Sequence, residues 1–131
     1  MPSTRFNPRS LFLWLFLLLA CCAVSAAAQS IRILVQSSPL AGFQYHTGAA
    51  IWESLQVGDK LTLHREPGNP HDPHAVRVDW HGQALGYLPR AENGAVAAEM
   101  DQGGRIEARI GRLRQHRNPW QRVLVEVYVV L

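Results

Sequence analysis

The sequence predicts a small, mainly β domain: a closed or partly closed barrel of about six short strands with two short helices. Two patterns predict it. Apolar and polar residues alternate in six short runs, the signature of half-buried strands, and turn residues punctuate those runs at close intervals. Between two of the runs stands a third feature, Arg65-Glu66-Pro67-Gly68-Asn69-Pro70-His71-Asp72-Pro73-His74-Ala75. Proline fixes φ and lacks an N–H, so this stretch cannot be a helix interior or a central strand. It is expected to be a rigid, exposed loop that presents Asn69, His71 and Asp72.

The elements follow in order. Ile31, Ile33 and Val35 alternate with Arg32, Leu34 and Gln36 as a first strand, ended by Ser37-Ser38-Pro39. Gly42 to Gly48, glycine at both ends and aromatic in the middle, reads as an exposed turn. Residues 49 to 55 form a helical turn with Ile51, Trp52 and Leu55 on one side. After Gly58-Asp59, Leu61 and Leu63 mark a second strand. The proline-rich loop comes next. Residues 75 to 80 form a third strand, His81-Gly82 a hairpin connection, and residues 83 to 88 a fourth strand stopped by Pro89. A modest helix is expected over residues 90 to 102, capped by Gly103-Gly104. Residues 105 to 113 alternate again. Val123, Val125, Val127 and Val129 define the last strand, with Leu124, Glu126 and Tyr128 on its other face.

Ahead of all this lies a different kind of segment. Arg5 and Arg9 precede the apolar run Leu11 to Ala20, and small residues follow up to Ala26-Ala27-Ala28. A basic start, a short apolar centre and an Ala-x-Ala exit read as a secretory signal peptide over residues 1–28, cut by signal peptidase after Ala28. The domain then covers residues 29–131. Leu18-Leu19-Ala20-Cys21 also resembles a bacterial lipobox, which would make Cys21 a lipid anchor. Otherwise the chain is exported, periplasmic or secreted. Both cysteines lie in this segment, so the exported domain has no disulfide and must hold together by its core. Removing Arg5 and Arg9 lowers Lys+Arg from 13 to 11 against 10 acidic residues. The net charge falls from +3 to +1, too little by itself to argue for a nucleic-acid partner.

No Gly-rich phosphate loop followed by Lys-Ser/Thr is present, and no set of nucleophile, base and acid stands out. The histidines lack the spacing of a zinc site. No catalytic role, cofactor or metal is expected. Arg105, Arg109, Arg112, Arg114, Arg117 and Arg122 make the C-terminal third basic. With Trp120 among them, these arginines fit a nucleic-acid face as well as the solvated side of two strands.

Gly42-Phe43-Gln44-Tyr45-His46-Thr47-Gly48, Val57-Gly58-Asp59, the proline-rich loop and Leu85-Gly86-Tyr87-Leu88-Pro89 stand in the order seen in the HIRAN domain. The sequence resembles that family from about Ile33 to about Val130. The family is usually fused to DNA helicases and nucleases and also stands alone in bacteria. The resemblance implies an OB-like barrel that captures the 3′-hydroxyl end of single-stranded DNA. It places Tyr45 against the terminal bases and Asp72 on the terminal hydroxyl. It places Tyr87 and Arg90 on the last phosphodiesters. Gln44 stands where an arginine is frequent and His71 where a tyrosine is. Trp120 matches a late aromatic that walls the pocket. Each has a plainer reading: Tyr45 as a packed turn residue, Asp72 as a cap on its own turn, Tyr87 as scaffold and Arg90 as a solvated helix start. The alternative function is an exported, envelope-associated binding protein that keeps the barrel and takes a ligand other than DNA.

Overall fold

The computed structural model describes Arg9 and residues 30–46 and 48–131. The proposed leader, its cleavage site and Cys21 lie outside the described residues. Ile31–Leu131 form a compact unit of their own.

Six strands make one antiparallel sheet in the order β1-β6-β5-β2-β3-β4. They are β1 (Arg32–Pro39), β2 (Lys60–Glu66), β3 (Ala75–Trp80), β4 (Gln83–Tyr87), β5 (Ile106–Leu113) and β6 (Val123–Val130). Two short helices, α1 (Gly48–Ile51) and α2 (Gly94–Asp101), complete it with 3-10 turns at Phe43–Tyr45, Trp52–Ser54 and Pro119–Gln121. The class is the one the sequence predicts. The sheet is not closed, because β1 and β4 do not pair along their lengths. They meet through a single bridge beyond the end of β1, where Ala41 and Tyr87 exchange two N–H···O bonds of 2.9 Å.

Gly86 makes that bridge possible. A Cβ at Gly86 would lie 2.2 Å from the carbonyl oxygen of Ala41, a distance no side chain can occupy. The β3–β4 hairpin turns as its sequence requires: His81 has φ 46 and Gly82 φ 77, the paired positive values of a tight two-residue connection.

The core is built by Leu61, Val76, Val78, Leu85, Leu88, Ile110, Val123, Val125 and Val127, with Val96 and Ala97 of α2 packed against it. These are the inward positions of the alternating runs. Trp80 joins from the rim and donates its indole N–H to Asp59 at 2.9 Å.

Four expectations need correction. The first strand runs through Ser37-Ser38 to Pro39, and its apolar first half is not interior. Ile33, Leu34 and Val35 are each about half exposed, whereas Ser38 and Leu40 are buried. Alternation marks a strand, but not whether the sheet continues past it, and β1 is an outer strand with β6 alone as neighbour. The turn from Gly42 to Gly48 is not wholly exposed: Phe43 is 1 % exposed and belongs to the core. The helix after Pro89 starts only at Gly94. In the last strand Val130 replaces Val129 as the buried residue. The β1 strand beside it is irregular between Leu34 and Gln36.

Candidate nucleic-acid interface

Strands β2 and β3 run antiparallel, with Glu66 opposite Ala75, and the proline-rich loop closes the gap between them. The loop ties itself down. Asn69 Oδ1 accepts from the backbone N–H groups of His71 (2.9 Å) and Asp72 (3.2 Å). Asp72 Oδ1 accepts from the N–H of His74 at 2.9 Å. Asn and Asp side chains fold back on nearby backbone in this way. The plain reading of Asp72 as a turn cap is therefore correct, and it does not exhaust the residue.

The second oxygen of Asp72 accepts from Nδ2 of Asn93 at 2.7 Å. Asn93 is 2 % exposed and precedes α2. An asparagine there commonly caps its own helix, but this one makes no such bond and reaches across to the loop instead. The N–H of His74 is the main influence that lowers the Asp72 carboxyl below its usual range, against an opposing effect of burial. Asn93 and the charge of Arg90 add to the lowering. A carboxylate has about four lone-pair directions, so Asp72 can still accept another hydrogen.

Asp72 opens onto a cavity of about 390 Å³ lined also by His46, Asn69, His71, Tyr87, Leu88 and Arg90. Five of the sequence-derived site residues therefore come together: Asn69, His71, Asp72, Tyr87 and Arg90. Their parts differ. The amide of Asn69 is engaged through both its oxygen and its nitrogen, Nδ2 donating to Glu66 at 3.1 Å, so it holds the loop. His71 and Arg90 are exposed at the mouth. Gln44 and Tyr45 do not line the cavity. They are exposed, Tyr45 to 82 %, on the turn whose neighbours Ala41 and His46 do line it. Trp120 is about half exposed on the turn Pro119–Gln121, outside the cavity.

The sequence reading missed what stands behind the pocket. The hydroxyl of Tyr87 donates to Glu66 Oε1 at 2.8 Å, and Arg77 donates to Glu66 Oε2 at 3.1 Å. Arg77 also grips both oxygens of Asp79, at 2.9 and 3.1 Å. The ring of His46 meets that of Tyr87 edge-on at 5.7 Å. Burial alone would push the Glu66 carboxyl up, but hydrogen bonds from Tyr87 and Asn69 and the charge of Arg77 together hold it below 4.5. Burial, with the bond to Glu66, raises the Tyr87 hydroxyl. The one available signal for Glu66 was its place at the end of a strand beside the loop.

A pH dependence follows. The Glu66 carboxyl titrates lower in the folded chain than in the unfolded one, so its stabilising contribution is complete above about pH 4.5 and is lost as pH falls through the lower folded value. Asp72 acts in the same sense. Acidification below about pH 4 should loosen the loop and Tyr87 first. Amide exchange at His71, Asp72 and His74 should rise before exchange in β6. Simultaneous loss of protection everywhere would contradict this.

The comparisons with known proteins converge on one family. The model of the HIRAN domain matches residues 33–131. The chain belongs to the HIRAN family. The domain is similar to a crystal structure of a protein from Lactobacillus plantarum, with a TM-score of 0.68 and 27 % identity over 78 % of this chain and 98 % of that one. It is also similar in fold to the crystal structure of the HIRAN domain of human HLTF, with a TM-score of 0.57 and 22 % identity over 79 % of each chain. A search of curated protein sequences gave no significant match. The likeness to the HIRAN domain of human HLTF fits the open, OB-like arrangement, and the proline-rich loop lies within the matched span.

Proposed function

We propose that this HIRAN domain is a non-catalytic binding module that captures the 3′-hydroxyl end of single-stranded DNA in the cavity beside Asp72. HIRAN domains are DNA-binding modules, and the matched span includes the whole pocket. The observation that carries the reading is the Asp72 carboxylate, kept ionised by His74 and Asn93 at the mouth of a cavity that it shares with Arg90 and Tyr87. An ionised carboxylate only accepts hydrogen bonds. It rewards a terminal hydroxyl and repels a terminal phosphate, while Arg90 attracts the phosphodiester next to it. Tyr45 and His71, exposed on either side, supply flat rings on which a base can stack without sequence preference.

Titration of the purified protein with short single strands tests this. Strands ending in a 3′-hydroxyl should bind more tightly than the same strands ending in a 3′-phosphate, and blunt duplexes should bind worst. Absence of binding at low salt would favour the second reading, an exported binding protein with a different ligand, which the basic-apolar leader over residues 1–28 supports. The leader carries a proposal of its own, cleavage after Ala28. Mass spectrometry of the protein recovered from a bacterial host should find the mature chain starting at Gln29. An intact Met1 would refute export, and an acylated Cys21 would establish the lipid anchor in its place.

A further inference from the structure

A second cleft, larger than the end pocket, lies beyond the turn Phe43–Tyr45. It encloses about 480 Å³ and is lined by Phe43, Trp52, Gln115, His116, Arg117 and Arg122, with no carboxylate on its wall. The same short turn borders both spaces: Ala41 and His46 face the end pocket, and Phe43 faces the cleft. Gln44 and Tyr45, both exposed, lie along the chain between Phe43 and His46.

The cations of this cleft differ from four arginines of the strands. Arg32, Arg65, Arg77 and Arg109 each hold a carboxylate within 3.3 Å. Among the described residues, Arg117 and Arg122 form no ion pair, and neither does Arg114 beside them. Four strand arginines are thus neutralised by carboxylate neighbours, whereas, among the described residues, the three of the β5–β6 connection, like Arg90, Arg105 and Arg112, are not. The connection is also fixed in shape. Nδ1 of His116 accepts the N–H of Asn118 at 3.0 Å, Asn118 accepts the N–H of Trp120 at 3.1 Å, and Arg122 Nε donates to the carbonyl of His116 at 2.7 Å. With Nδ1 accepting, His116 carries its proton on Nε2 and offers it as a donor. Trp52 adds an aromatic ring, held edge-on against Phe43 at 5.9 Å.

Polar donors with no carboxylate beside them, cations without an ion pair and one aromatic wall suit a phosphodiester with its attached base. We propose that this cleft binds the internal nucleotides of the strand whose 3′ end occupies the Asp72 pocket, the strand passing Gln44 and Tyr45. The inference rests on the end-capture reading and extends it. The protein then covers a run of nucleotides rather than a terminal pair, within the roughly 4–16 that a fold of this kind accommodates.

The test is fluorescence anisotropy of the purified protein with labelled oligothymidylates from dinucleotide to dodecanucleotide, ending in either 3′-hydroxyl or 3′-phosphate. Affinity should rise with length past the dinucleotide and then level off. Arg117→Gln, at an exposed residue with no partner to lose, should weaken the dodecanucleotide about three- to tenfold at low salt. It should reduce the salt slope by about one and leave the dinucleotide unchanged. A thermal melt that matches the parent protein assures that this variant is folded. Equal affinity for short and long strands would overturn the cleft and leave the end pocket standing. Length-dependent, Arg117-dependent binding that ignores the 3′ group would support the cleft and overturn end capture. No binding at any length would overturn both.

Discussion

Phe43→Ala should destabilise the domain by about 3–5 kcal/mol, the range for deleting a fully buried aromatic ring. Phe43 is 1 % exposed and has few ways to be replaced by relaxation. Its ring lies against Trp52, and a Cβ on Gly48 would come within 2.2 Å of it, so the backbone of α1 packs directly on the aromatic face. Removing the ring leaves a hole bounded by backbone, which cannot close without moving the turn Phe43–Tyr45. That turn borders both clefts, so binding should weaken alongside stability. Urea denaturation of the variant and the parent protein measures the first effect. A loss below about 1 kcal/mol would mean that the ring is not a closed part of the core.

Asp72→Ala should abolish the preference for a 3′-hydroxyl over a 3′-phosphate. On the proposed end capture, the parent protein would gain a charge-assisted hydrogen bond from the hydroxyl and suffer a like-charge clash with the phosphate, and both would vanish with the carboxylate. A bond to a charged group contributes about 1.5–3 kcal/mol, so affinity for the hydroxyl strand should fall more than tenfold. The phosphate strand should bind as well as before or better. Because Asp72 also ties the loop through His74 and orients Asn93, Asp72→Asn is the cleaner companion: it keeps a side chain of the same shape and removes the charge. Anisotropy with both strand types reads the result. Retained discrimination in Asp72→Asn would move the recognition of the hydroxyl to another residue.

The sequence made the sheet legible wherever one face is buried. In Val76 and Val78, or in Val123, Val125 and Val127, a period of two states both the strand and its inward side, and all five are buried. It failed at β1, where the same alternation carries no information about a missing neighbour. It failed again at Phe43, whose glycine-flanked setting looks like solvent-exposed turn until the rest of the core is present. At the candidate site the loop was legible because proline and asparagine act locally. Asn69, Asp72 and their backbone partners lie within three residues of one another. Glu66 with Tyr87 and Asp72 with Asn93 are each 21 residues apart, and no local rule brings such pairs together. The positions of Gln44, Tyr45 and Trp120 relative to the cavity depend on how two turns pack, which spacing along the chain does not encode.

The bridge between Ala41 and Tyr87 divides the protein into parts with different freedom to change. Gly86 admits no side chain, Tyr87 and Arg77 are held by Glu66, and Asn93 holds Asp72. Gln44, Tyr45, His71 and Arg90 are exposed around this frame, where substitutions usually alter stability by less than about 0.5 kcal/mol. Ligand preference can therefore drift through these four positions almost without cost to folding. On the proposed reading, a chain with this frame could change what surrounds its Asp72 pocket in a few substitutions, and each intermediate would still fold.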